Sequence, residues 1–165
     1  FKQTLTALDK DLKGIEKSIK EVIDTDHELK RLFTLMTSIS GIGPVTASHV
    51  LVLTNEFKDF NSAKKFACYA GVVPFDHSSG KSIKGKARVS HLAHKGIKYL
   101  LHMAALSVIR LGGELSDYFI RKAATGKNKM LILNAIRNKL IHRIFAVVKN
   151  GIPYQQNYIR PLFLS

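Results

Sequence analysis

Ser38-Ile39-Ser40-Gly41-Ile42-Gly43-Pro44-Val45-Thr46-Ala47 is the stretch on which the fold of this chain turns. Two glycines flanking one apolar residue permit a tight turn with positive φ. Pro44 suits the first turn of a following helix, where its missing N–H would have had no partner anyway. Thr46, Ala47 and Ser48 are small enough to let two helices cross closely, and Val50, Leu51 and Leu53 carry the apolar face onward. Helix, Gly-apolar-Gly turn and second helix make the helix-hairpin-helix pattern, placed here at 29–54. In that pattern, backbone N–H groups of the turn and of the next helix's N-terminus point at a phosphate. Gly41, Ile42, Gly43 and Thr46 are therefore candidate DNA-binding residues. The plainer reading is a helical hairpin that only packs.

Upstream, Leu5, Leu8, Leu12, Ile15, Ile19, Val22, Asp26, Leu29, Phe33 and Met36 recur at alternating steps of three and four. That spacing predicts a coiled-coil-like seam over 1–36. Asp26 interrupts it and reads as a helix N-cap, so two helices are expected, about 2–23 and 27–37. The seam packs either on the rest of the domain or on a second chain; spacing alone does not choose.

Downstream, Ser62 to Ala70 reads as a short helix stopped by Gly71. Residues 71–90 show no helical period, and a segment that long inside a compact domain is usually functional or mobile. Lys81, Lys84, Lys86 and Arg88 form a basic comb there, suited to gripping phosphates. Three helices complete the chain: His91 to Arg110, about 114–125, and about 128–149. The last is expected to bury Leu131, Ile132, Ala135, Ile136, Leu140, Ile144 and Val148, with Arg137, Lys139 and Arg143 outside. No strand is expected. The expected class is all-α, with a compact domain over 37–153 and a tail at 154–165.

Composition sets the outer limits. One hundred and sixty-five residues make a single domain large enough to bury roughly two thirds of its unfolded surface. Apolar residues make up 45% and charged residues 23%, which argues against disorder. Cys68 is the lone cysteine, so no internal disulfide forms and a reducing, cytoplasmic setting is expected. No apolar run approaches the roughly 18 residues that span a bilayer. The chain opens on Phe1 rather than Met and reads as a piece of something longer.

The formal net charge is +14, and it is unevenly placed. Residues 1–76 balance ten basic against ten acidic side chains, whereas 77–165 hold sixteen basic ones against only Glu114 and Asp117. A one-signed field over half a small domain repels itself unless a polyanion neutralises it. DNA is the expected partner, and Lys95 and Lys98 join the candidate contacts.

Metal-dependent phosphodiester cutting needs several carboxylates around Mg²⁺, and the basic half does not supply them. His91, His94 and His102 read as ordinary polar residues rather than zinc ligands, since a zinc site wants further donors. A loop serine among cations could attack a phosphodiester. Ser78, Ser79, Ser82 and Ser90 all qualify, and residue chemistry does not choose among them.

Several motifs run in a fixed order: Ser38 to Ala47; Phe66-Ala67-Cys68-Tyr69-Ala70-Gly71-Val72-Val73-Pro74; Ser79-Gly80-Lys81; Lys95-Gly96; Leu100-Leu101-His102-Met103-Ala104-Ala105; Gly126-Lys127; Lys139-Leu140. Together they resemble the C-terminal half of the DEDD-type insertion-sequence transposases related to Piv-type DNA invertases, some of them guided by a bridge RNA. The resemblance implies an N-terminal resolvase-like domain carrying four metal-binding carboxylates, then a coiled coil, then a helical domain. It also implies a nucleophilic serine in the loop after Tyr-Ala-Gly-x-x-Pro. Ser79, five residues after Pro74, matches that position, and Ser78 is its near rival. Ile97 departs from the pattern, since many members carry a polar residue after Lys/Arg-Gly.

On this resemblance the chain is the C-terminal part of a bacterial transposase or recombinase, with Ser79 as catalytic residue. No cofactor is expected within it; Mg²⁺ belongs to the absent N-terminal domain, so the chain alone is expected to be inactive. DNA, a guide RNA in some members, and a second copy through the N-terminal helix are the implied partners; a membrane is not. The competing reading is a non-catalytic helix-hairpin-helix DNA-binding module.

Overall fold

The alternating three-and-four spacing of leucine and isoleucine builds α1 (Lys2–Thr25). Asp26 ends it in extended backbone, and its carboxylate accepts the N–H groups of Glu28 and Leu29, both at 2.9 Å. This is the N-cap of α2 (His27–Thr37), an arrangement that contributes about 1 kcal/mol. The polar position in the seam is thus a helix cap, as expected. The computed structural model describes residues 1–73, 78–79, 83–84 and 93–156.

After α2 the chain reverses through Ser38–Gly43. Ile42 N–H donates to Ile39 C=O at 2.9 Å. Gly41 sits at φ +88, and a Cβ there would fall 2.9 Å from the Ala104 carbonyl. Only glycine fits both the backbone angle and the approach. Gly43 then caps α3 (Pro44–Thr54), with Pro44 in its first turn. At the far end, the buried Thr54 hydroxyl donates to Val50 C=O at 2.7 Å and accepts the Phe57 N–H at 3.1 Å. That pair of bonds spans three consecutive left-handed residues, Asn55, Glu56 and Phe57, and sets Phe57 edge-on against Phe145 at 5.1 Å.

Ser62 caps α4 (Ala63–Tyr69) through its hydroxyl, and Gly71 turns away at φ +65. A two-residue antiparallel ladder follows, β1 (Ser78–Ser79) with β2 (Ile83–Lys84). No strand was expected, because two residues are too short to show a period. Then come α5 (Lys95–Leu111), α6 (Glu114–Ala124) and α7 (Lys129–Asn150). The helix expected from His91 begins at Lys95, because the His94 ring nitrogen accepts the Ile97 N–H and caps it there. The class is all-α.

α7 runs through the core. Ile132, Ile136, Leu140, Ile141 and Ile144 are fully buried, against Met36 of α2, Phe66 of α4 and Leu101 and Ala105 of α5. Each large side chain so buried contributes about 1.5–3 kcal/mol. Ala135 and Val148, expected to be buried, are half-buried, and two further expectations for α7 fail outright. Leu131 is exposed, and Arg137 is buried. The buried face is centred between Leu133 and Ile144, which turns Leu131 to solvent and brings Arg137 onto the shoulder of the core. Past Gly151, Tyr154 folds back on the Ser38–Gly43 turn, its N–H donating to Ser38 Oγ at 2.7 Å.

α1 stands apart from this packing, with Ile23 its one buried residue. No helix among the described residues is long and apolar enough to cross a membrane.

Candidate nucleic-acid interface

Two structural features carry the candidate residues, and α5 joins them. The first is the root of the segment that follows α4. Val72 N–H bonds to Ala67 C=O at 2.9 Å, and the Val72 carbonyl accepts the Asn134 amide of α7 at 2.7 Å. The chain returns at His94, whose N–H donates to Tyr69 C=O at 3.0 Å and whose ring stacks on Tyr69 at 5.7 Å. Both ends of the segment are therefore fastened at the C-terminal end of α4. Between them, Ser79 lies on β1, with its backbone opposite Ile83, and Ser78 lies opposite Lys84. Lys81, Lys86 and Arg88 fall outside the described residues. Lys95 and Lys98 occupy the first turn of α5, Lys95 exposed and Lys98 half-buried.

The second feature is the Ser38–Gly43 turn. Gly41 packs on α5 at Ala104 and Val108. Nine residues of α-helix separate Ala104 from Lys95, about 13 Å along the axis. The Ile42 and Thr46 side chains are buried, so these two residues can meet a ligand only through their backbone. α3 has no side-chain cap, and its N-terminus leaves N–H groups of the first turn free to meet an anion. Gly43 has open space where a side chain would stand.

The cations expected outside α7 are largely engaged. Arg143 pairs with Glu114 and lies over the Tyr154 ring at 4.7 Å. The Lys139 ammonium sits over the Tyr118 ring at 5.1 Å. Arg137 is buried. Two residues of consequence, Asn134 and Arg137, were not among the sequence candidates. The signal was present for Arg137, which lies four positions from both Leu133 and Ile141 and so shares their face.

His94 serves as a helix cap and ring partner, and His91 lies outside the described residues. Among the described residues no group of three or more His, Cys, Asp or Glu comes together as a metal site. Glu114 and Asp117 both stand in the first turn of α6, where they complement the helix dipole.

The described residues thus make an all-α domain in which a helix N-terminus without a side-chain cap and a two-residue serine hairpin lie on elements joined by α5. Comparison with known proteins supplies the family. Residues 33–119 match the model of the transposase IS116/IS110/IS902 family, and the chain belongs to that family. It is 31% identical over 144 residues to the pilin gene-inverting protein of Moraxella lacunata, covering 86% of this chain and 44% of the relative. It is 27% identical over 152 residues to the insertion element IS110 43.6 kDa protein of Streptomyces coelicolor, covering 92% and 36%. A probable family 20 transposase of Pseudomonas aeruginosa is 29% identical over 120 residues, covering 71% and 33%. The chain thus spans less than half the length of these relatives.

Proposed function

We propose that this chain is the C-terminal part of a DNA transposase or recombinase, which grips nucleic-acid phosphates and supplies Ser79 as the nucleophile for strand cleavage and exchange. The observation that carries the reading is the fastening of both roots of the Ser79 segment to α4, α5 and α7, with Ser79 itself in the half of the chain that holds all the net charge. A reactive group needs a rigid mount and surrounding cations that offset developing charge. Family membership, with a gene-inverting protein among the relatives, supports the same reading.

In the proposed step the Ser79 hydroxyl attacks the phosphorus. A P–Oγ bond forms, the bond to the departing deoxyribose oxygen breaks, and the hydroxyl proton ends on that oxygen or on water. Lys81 and Lys84 stand nearest in sequence to offset the charge on the phosphate oxygens. The acids of this half make no metal site among the described residues, so no metal-dependent step is assigned to them. The carboxylates for Mg²⁺ are proposed to lie in another domain, the whole protein acting in the bacterial cytoplasm as a homo-oligomer assembled through α1. The domain limits proposed are 1–36, 37–153 and 154–165.

The test is Ser79→Ala against Ser78→Ala in the full-length protein with its target DNA. Ser79→Ala is expected to lose both strand exchange and the covalent protein–DNA adduct, while Ser78→Ala keeps both. An adduct that survives Ser79→Ala overturns the assignment. The free N–H groups of α3 favour a second reading, a non-catalytic helix-hairpin-helix module; full binding without any adduct in the wild-type protein is its signature. A guide RNA is proposed as a further partner, checked by co-purification of a defined RNA with the full-length protein.

A further inference from the structure

Arg137 is 6% exposed, yet its Nε–H has no hydrogen-bond partner among the described residues. None of the ion pairs among the described residues includes it. Burial lowers its pKa with no charged neighbour acting against the shift, and a guanidinium nonetheless stays protonated. Burying its Nε–H without a partner is unfavourable. An anion is the partner such a guanidinium is suited to hold.

Its surroundings indicate which one. At 100° per residue, Asn134, Arg137, Asn138 and Ile141 share one face of α7. Asn134 holds the Val72 root. Asn138 Oδ1, one turn on, is also buried without a donor among the described residues. Further along the same face Phe145 meets Phe66 of α4 at 5.7 Å. α4 and its continuation therefore run along this face from Phe66, beside Phe145, to Val72, beside Asn134. Arg137 lies one turn on from Asn134, which holds the Val72 root of the segment that bears Ser79, and His94 returns at the C-terminal end of α4.

We propose that Arg137 is an anion-holding residue whose guanidinium receives a phosphodiester oxygen of the DNA strand. The proposal rests on the reading of the chain as a nucleic-acid-handling domain and adds a buried contact to it. The planar fork of arginine matches a phosphate oxygen pair. Carboxylates are scarce as competitors: none lies between Lys81 and Arg110 or after Tyr118 in the sequence, and Glu114 is taken by Arg143. Arg137 binds and positions the strand; it forms and breaks no bond. The competing occupant is a carboxylate of the chain itself, and Asp76 is the nearest to the Val72 root in sequence.

The experiment uses the 165-residue chain with Arg137→Met, Arg137→Lys and Asp76→Asn, and reads thermal midpoint and affinity for a short duplex DNA across a salt series. Arg137→Met is expected to keep or raise the midpoint, because it removes a buried, unpaired N–H donor. It is expected to weaken DNA binding by about tenfold, the worth of one charge-assisted hydrogen bond. The slope of log affinity against log salt becomes shallower by about 0.9, one phosphate's share. Arg137→Lys recovers the slope and part of the affinity, and serves alone if the methionine variant does not fold. A lowered midpoint in both Arg137→Met and Asp76→Asn, with DNA slope unchanged, makes Arg137 an internal ion-pair partner and overturns the proposal. So does a loss confined to a hairpin RNA run in parallel. Wild-type chain that binds no DNA at low salt overturns the functional reading itself; wild-type binding matched by Arg137→Met overturns only this inference.

Discussion

The Asn134 side-chain amide donates a 2.7 Å hydrogen bond to the carbonyl of Val72, 62 residues earlier in the chain. It ties the second turn of the core helix to the point where the Ser79 segment leaves α4. One neutral hydrogen bond of this kind contributes about 0.5–1.5 kcal/mol net. Asn134→Ala is expected to lower the unfolding free energy of the chain by about 1 kcal/mol, measured by urea denaturation. In the full-length protein the same change is expected to reduce strand exchange well beyond what that loss of folded population allows. Strand exchange at the wild-type rate would mean the anchor has no part in placing the serine.

Gly41 and Gly43 flank the same turn and are predicted to differ sharply. Gly41→Ala combines positive φ with a 2.9 Å approach to the Ala104 carbonyl. It is expected to destabilise by about 1–3 kcal/mol. At Gly43 the backbone is at φ −88 and nothing stands within 4 Å of an added Cβ. Gly43→Ala is expected to leave thermal stability within about 0.5 kcal/mol of wild type. If it weakens duplex DNA binding all the same, the turn faces phosphate; unchanged binding would take Gly43 out of the interface.

Salt should act steeply on nucleic-acid binding. Each phosphate neutralised on duplex DNA contributes a slope of about −0.9 in log affinity against log salt. Replacing Lys84, Lys86 and Arg88 together by Ala is expected to weaken binding to unrelated sequences by a similar factor, because phosphate contacts carry little base information. A sequence-dependent loss, in a competition assay with several duplexes, would point to base contacts instead. The same chain with Mg²⁺ and DNA is expected to yield no cleavage products on a denaturing gel.

Self-association through α1 should respond to salt with the opposite sign. Leu5, Leu8, Leu12, Ile15, Ile19 and Val22 are all exposed on it. In a parallel pair Asp11 of one helix flanks the seam opposite Glu16 of the other, two like charges that salt screens. Sedimentation equilibrium is expected to show an oligomer that tightens as salt rises and that Leu12→Asp with Ile19→Asp converts to monomer. A monomer at all salt concentrations would remove the homo-oligomer.

The local elements were written in local chemistry. The leucine spacing, Asp26, the Gly41-Ile42-Gly43-Pro44 turn, Ser62 and Gly71 specify the helices and their ends, because caps, turns and periodicity act over a few residues. The charge asymmetry was equally legible, since a net field needs no coordinates. Tertiary packing decided the rest. Whether α1 finds a partner within the chain depends on what the domain leaves uncovered, and Leu5 to Val22 remain exposed. The α5 start moved to Lys95 because His94 is held by Tyr69, which lies 25 positions earlier and is brought near only by folding. Asn134 acquired its role from a carbonyl on another element. Arg137 reversed its expected position because the centre of a helix's buried face is set by the helices around it. Sequence gives the angular order of side chains around a helix, but neighbours choose the rotation, and here that rotation put a cation inside.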